Sequence, residues 1–120
     1  MIENAALKAL VELHRRLSRN LISEDQRIRN DETLTEEEKT AERDRLWQEW
    51  EESSKNLVNA RNLVFNLGDA LVGALMADLA DAQADLETAL ITHRKTVDVL
   101  KAITRAVEIA GRLVALGRGG

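Results

Sequence analysis

The sequence predicts an all-α fold: an antiparallel helical hairpin or bundle of three to four long amphipathic helices with coiled-coil-like packing. No Pro interrupts the 120 residues. The strong helix formers Leu, Ala, Glu, Lys and Arg are abundant, and no stretch alternates apolar and polar residues over the length of a strand. Because this length suits one domain or one subunit of an oligomer, residues 1–120 are interpreted as a single helical domain.

The first helix is predicted near residues 3–29. Apolar residues recur there at steps of three, four and seven, which keeps them on one helical face. They are Ile2, Ala6, Leu10, Leu13, Leu17, Leu21 and Ile28. The polar segment 30–34 breaks this pattern and predicts a loop.

A capping box marks the start of the second helix. In Thr35-Glu36-Glu37-Glu38, the Thr35 hydroxyl can accept from the amide of Glu38, and the Glu38 carboxylate can reach back to the amide of Thr35. Three acidic residues in the first turn also suit the positive end of the helix dipole. The apolar stripe continues from here, and we predict a helix over 35–66.

Two positions further along could interrupt the helix. Gly68 could end one helix and Asp69 could cap the next. The basic cluster before Thr96 suits a helix C-terminus, with Thr96 as a new start. A helix is therefore predicted over 69–117, either continuous or split near 92–96, followed by a flexible tail at 117–120. The sequence leaves open whether the chain breaks at Gly68, Thr96 or both.

Charge is unevenly distributed around a net value of −4. Residues 24–52 carry twelve acidic and five basic side chains, whereas residues 93–120 carry six basic and two acidic ones. An acidic middle disfavours nucleic acid as a partner, because the phosphate backbone would meet negative charge. It favours packing of the acidic segment against the basic one.

A turn at Gly68 would place residues at equal distances before and after it side by side. Arg94, Lys95 and Lys101 would then face the segment 36–42. Charge would set the orientation of this pairing, since exposed ion pairs contribute only about 0–1 kcal/mol each. Apolar burial would supply the stability.

Several classes of protein are disfavoured by what the chain lacks. Without Cys it forms neither disulfides nor thiolate metal sites, and it suits a reducing compartment, so a cytoplasmic location is predicted. Residues 1–4 lack the basic start of a secretory signal. The most apolar window, 57–80, carries charged residues, which disfavours a membrane span. No glycine pattern follows a strand to hold phosphates, so no cofactor is predicted.

Residues for catalysis or metal binding are few. His14 and His93 are not preceded by Glu three residues earlier, as a di-iron bundle would require. Asp78, Asp81 and Asp85 share one helical face and form a weak candidate metal site, although a solvated face explains them better. No catalytic residue is assigned, and the chain is predicted not to be an enzyme.

Two tryptophans are the strongest candidates for recognition. Trp47 and Trp50 lie three residues apart on one helical face, within a segment that is otherwise polar. Because tryptophan is enriched at interface hot spots, Trp47, Trp50, Glu49 and Glu51 are candidate partner-binding residues. The alternative, in which the two rings fill the core between helices, is equally compatible with the sequence.

We therefore expect a non-enzymatic protein–protein interaction or assembly module that forms a homodimer or higher oligomer, of bacterial or phage type. Long apolar stripes that one subunit does not cover favour this hypothesis. One alternative is a small inhibitor, immunity or chaperone-like protein that binds one partner through its acidic 31–52 face. Another is a metal-dependent helical enzyme, supported only by the face of Asp78, Asp81 and Asp85.

Overall fold

The computed structural model describes residues 5–61, 63, 65, 69–92 and 94–119. Within them the chain forms four helices: α1 (Ala5–Arg29), α2 (Glu36–Ala60), α3 (Ala70–Ile91) and α4 (Thr96–Gly119). The helices pack on one another in a bundle of 48 × 23 × 22 Å. The predicted all-α helical bundle is thus confirmed.

Local capping explains where two of the helices begin. The Thr35 hydroxyl accepts from the amide of Glu38 at 3.1 Å, and the Glu38 carboxylate accepts from the amide of Thr35 at 2.9 Å, so the predicted capping box is formed. The Asp69 carboxylate accepts from the amide of Leu71 at 2.8 Å and caps α3. Each bond satisfies an amide that has no partner inside its own helix. Gly68 lies outside the described residues.

The break before Thr96 is present, since α3 ends at Ile91 and α4 begins at Thr96. The Thr96 hydroxyl donates to the Asp31 carboxylate at 2.8 Å, which joins the start of α4 to the loop between α1 and α2. The four-helix alternative therefore describes the chain, and the continuous helix over 69–117 does not.

Two helix ends differ from the prediction, and the two segments concerned are in contact with each other. Helix α2 ends at Ala60, short of residue 66, and α4 continues through Gly117 to Gly119, where a tail was expected. Phe65 is buried and packs directly on Gly117, because a Cβ built at Gly117 would lie 2.8 Å from Phe65 Cε1. This contact joins positions far apart in the sequence, so local signals do not reveal it.

The helices run alternately up and down, but their arrangement in space is not sequential. Helix α1 contacts α2 and α3, and α4 contacts α3 and α2, whereas the described helices α2 and α3 occupy opposite corners. The Arg45 guanidinium donates to the Thr104 hydroxyl at 3.3 Å, and Asn56 lies beside Gly111, so α2 and α4 run parallel.

The expected pairing of the acidic and basic helices is therefore correct in location and wrong in direction. Helix α4 folds back on α3 rather than on α2. It therefore runs parallel to α2, whereas a turn at Gly68 would have made the two helices antiparallel. Arg94 pairs with Asp85 of α3 at 3.0 Å instead of facing the segment 36–42.

The centre of the bundle is built from leucines of three helices. Leu13, Leu79, Leu86 and Leu113 are all at most 1% exposed. Each fully buried leucine stabilises the fold by about 1.5–3 kcal/mol relative to an exposed one. Taking only the described residues, none of the helices combines the length and apolar character needed to cross a bilayer.

Candidate protein-interaction surface

Side-chain hydrogen bonds fix how α1 and α2 lie against each other. The later a residue lies in α1, the earlier its partner lies in α2, as antiparallel neighbours require. The three pairs are Trp47 Nε1 to Asp25 Oδ1 at 3.1 Å, Trp50 Nε1 to Ser18 Oγ at 2.9 Å, and His14 Nδ1 with Ser53 Oγ at 3.2 Å. The three bonds follow one another along the α1–α2 contact, so polar side chains define the register between the two helices.

The two tryptophans form a short aromatic row with a histidine. The rings of Trp47 and Trp50 meet edge to face with centroids 6.4 Å apart, and the His14 ring lies 5.5 Å from Trp50. Trp47 is 38% exposed, whereas Trp50 is half-buried and packs against the core. The sequence left open whether the two rings lie at the surface or in the core between helices. Trp47 is a surface residue, and Trp50 contacts both the surface and the core.

The cavity beside Trp50 is too small for a ligand. Its volume is about 10 Å³, and it is lined mainly by apolar side chains, including Leu17, Leu46 and Leu86. A space of that size holds about one water molecule. Trp50 therefore closes the bundle centre and does not line a binding pocket.

Two further apolar side chains extend the exposed surface around Trp47. Ile22 is 60% exposed and lies one turn from both Ser18 and Asp25, the residues that accept from the two indoles. Val58 is 57% exposed and lies three turns beyond Trp47 on the same face of α2. We call the surface formed by Ile22, Trp47, Trp50 and Val58 the tryptophan face.

Asp25 anchors this face, and the sequence analysis did not identify it. Its carboxylate, only 9% exposed, accepts from Arg43 Nε at 2.8 Å and pairs with Arg29 Nε at 3.0 Å, besides accepting from Trp47. Burial alone would raise the pKa of Asp25, but the hydrogen bonds from Arg43 and Trp47 and the two guanidinium charges outweigh it and lower that pKa. The sequence did contain one signal for this role: an acidic residue four positions after Leu21 and three before Ile28, which places it beside the apolar stripe of α1.

His14 and Ser53 form a hydrogen-bonded pair without the features of a catalytic one. Ser53 is 3% exposed, so its hydroxyl does not reach a substrate. Partial burial beside Trp50 lowers the pKa of His14 by penalising the charged imidazolium. A neutral ring is the form that suits this packing.

The two glutamates proposed with the tryptophans lie on different sides of α2. Glu51 is exposed and lies one turn after Trp47 on the same face. Glu49 is partly buried between α2 and α4, where burial raises its pKa, with Glu108 and Glu52 adding to the shift and Arg45 opposing it. Glu51 therefore belongs to the tryptophan face, and Glu49 does not.

The aspartates of α3 are separated by their surroundings. Asp78 and Asp81 are exposed, and Asp85 pairs with Arg94 at 3.0 Å. Across the residues that the structure describes, no three His, Asp or Glu side chains are grouped so that they could hold a metal ion. His93 lies outside the described residues.

Comparison of the chain with protein-family models, with curated proteins and with solved structures gives no match. Its function is therefore inferred from its own residues, and the tryptophan face carries three of the five large hydrophobic side chains that the described residues expose.

Proposed function

We propose that this protein is a non-enzymatic interaction or assembly module that binds another protein chain through the tryptophan face and works as a homo-oligomer in the cytosol. One observation supports this more than any other. Ile22, Trp47 and Val58 expose large apolar side chains on the α1–α2 surface, which makes three of the five large hydrophobic residues that the described part of the chain exposes. Apolar groups gathered on one surface are typical of binding sites.

The tryptophans are held in place before any partner arrives. Both indole N–H groups already have acceptors, Asp25 and Ser18. A partner that covers these rings therefore leaves no indole donor unsatisfied, and little side-chain freedom is lost on binding. Tryptophans of this kind are enriched among the residues that dominate binding energies.

The proposal is tested by a matched pair of charge insertions. Ile22→Glu adds a carboxylate to the tryptophan face, and Leu71→Glu adds one to α3 at a similar exposure, 60% against 64%. We expect Ile22→Glu to weaken association at least roughly tenfold, since a binding site rejects an unpaired charge. Leu71→Glu should behave as the wild type. Concentration-dependent light scattering measures self-association, and pull-down from native lysate measures capture of other proteins.

Trp47→Ala provides a second test on the same face. It should reduce association while the circular dichroism spectrum stays helical, because the ring is exposed and lies at the edge of the core. Association that survives both Ile22→Glu and Trp47→Ala would overturn the proposal. Capture of one unrelated protein without self-association would favour the inhibitor-like alternative, with the acidic side of α2 contributing to the contact.

A further inference from the structure

The tryptophan face is flanked by opposite charges on its two sides. Arg15 lies on the α1 side, two turns before Ile22, and Glu51 lies on the α2 side, one turn after Trp47. Both are exposed, and the His14–Ser53 bond places them at nearly the same height along the bundle. Neither forms an ion pair within the described part of the chain.

Further along the face the same division holds. Arg29 extends from α1 with 58% of its side chain exposed, and Asp44 is exposed on α2. The α1 edge is thus basic and the α2 edge acidic, at two separate heights. A surface with this pattern is complementary to itself when it is turned about one particular axis.

That axis runs parallel to the helices. A two-fold rotation about it keeps every residue at its height and sets α2 of a second copy against α1 of the first. Arg15 then faces Glu51 of the second copy, and Arg29 faces Asp44 of the second copy. A two-fold axis across the helices would instead set the basic edge of α1 against itself, so only the parallel axis brings opposite charges together.

We propose that the tryptophan face binds a second copy of this chain about a two-fold axis parallel to the helices, with Arg15 of each protomer paired to Glu51 of the other. The proposal rests on the function proposed above and names its partner. Trp47 and Ile22, which lie at similar heights, form the apolar centre of the contact with the same residues of the second copy, and the charges at its edge set the orientation.

The size of the face fits a stable dimer. Two helices of 25 residues each form it. At about 1.5 Å per residue and about 10 Å of width per helix, they present roughly 750 Å². Specific interfaces bury about 800 Å² on each partner. The contact thus approaches the standard size without help from α3 or α4.

The decisive experiment reverses the two edge charges separately and then mixes the variants. Arg15→Glu and Glu51→Arg, each alone, place two like-charge contacts in the homodimer, and each should raise its dissociation constant about tenfold or more. In an equimolar mixture, the heterodimer has one contact between the introduced Glu of one protomer and the introduced Arg of the other, and one contact between Arg15 and Glu51 as in the wild type. It should recover the wild-type dissociation constant to within about threefold. Sedimentation or light scattering gives the masses.

The control variants change charge at exposed positions away from the face. Asp81→Arg on α3 and Glu52→Arg on α2 should leave the dissociation constant near the wild-type value. Circular dichroism of every variant checks that the helices remain. The double variant Arg15→Glu with Glu51→Arg should dimerise like the wild type, since both contacts are restored with opposite polarity.

The outcomes separate this inference from the function on which it rests. A wild-type mass that stays at 13.4 kDa up to roughly 1 mM overturns the dimer. If the tryptophan face then captures another protein, the interaction function stands without self-pairing. If dimers form and Ile22→Glu weakens them, but the charge-reversed mixture is not rescued, the proposed orientation is wrong.

Discussion

Helices α2 and α4 lie side by side and are almost equally long, yet they are held in the bundle by different interactions. Helix α4 buries ten apolar side chains, whereas α2 buries only Leu46, Leu57 and Ala60. Helix α2 is instead joined to α1 by bonds from Trp47, Trp50 and other polar side chains at its edge. It follows that α4 is stabilised mainly by apolar burial inside the bundle, while α2 leaves Trp47 and Val58 exposed.

The largest effect on stability should come from the buried side chains of α4. Leu113→Ala in α4 removes a side chain that is 0% exposed and should lower the free energy of unfolding by about 2–5 kcal/mol, because transfer energy is lost and a cavity remains. Val58→Ala in α2, at 57% exposed, should cost less than about 0.5 kcal/mol in the monomer. Urea unfolding measures both, and equal losses would contradict the contrast between the helices.

Substitution of Gly117, near the end of α4, should have an intermediate effect on stability. A Cβ there would lie 2.8 Å from Phe65 Cε1 and 3.2 Å from Leu63 Cδ1, so Gly117→Ala should displace the segment after α2 and cost about 1–3 kcal/mol. Gly73 has no heavy atom within 4 Å of its Cβ position. Gly73→Ala should therefore stabilise α3 by up to about 1 kcal/mol through helix propensity. Thermal unfolding that shifts in the same direction for both variants would rule out the close contact with Phe65.

The features that the sequence predicted correctly are those determined by residues close together in the chain. Thr35, Asp69 and Thr96 lie at helix starts because capping depends on amides within one turn. The segment after α2 is placed by Phe65 meeting Gly117, a contact between segments distant in the chain. No local pattern carries that information, and the same holds for the direction of α4 along α2.

The candidate surface was predictable only in part for a similar reason. Spacing alone placed Trp47, Trp50 and Glu51 near one another, but it grouped Glu49 with them although Glu49 faces α4. Asp25 gains its role only when α2 brings Arg43 and Trp47 to it, eighteen and twenty-two residues away. A single helix shows which residues share a face, whereas the packing of its neighbours decides which face is covered.

A smaller effect than that of Leu113→Ala should come from the polar anchor of α2. Asp25→Asn keeps an oxygen for Trp47 and Arg43 but loses the charge that faces Arg43 and Arg29, which should lower the free energy of unfolding by about 1–2 kcal/mol at neutral pH. Asp81→Asn, at an exposed position of α3, is the control and should change it by less than about 0.5 kcal/mol.

The pH dependence of that difference identifies its cause. Since the pKa of Asp25 is lower in the folded chain than its ordinary value of 3.8, the unfolded chain takes up the proton first as the pH falls. The stability that the charged Asp25 contributes is fully present above pH 3.8 and is lost as the pH drops through the lower folded pKa. The free energies of unfolding of the wild type and Asp25→Asn should therefore differ by a constant amount above pH 3.8. They should converge as the pH falls through the lower folded pKa of Asp25. A difference that persists unchanged into strong acid would show that the loss of stability in Asp25→Asn does not come from the charge of Asp25, and the ion pairs with Arg43 and Arg29 would then not be what holds α2.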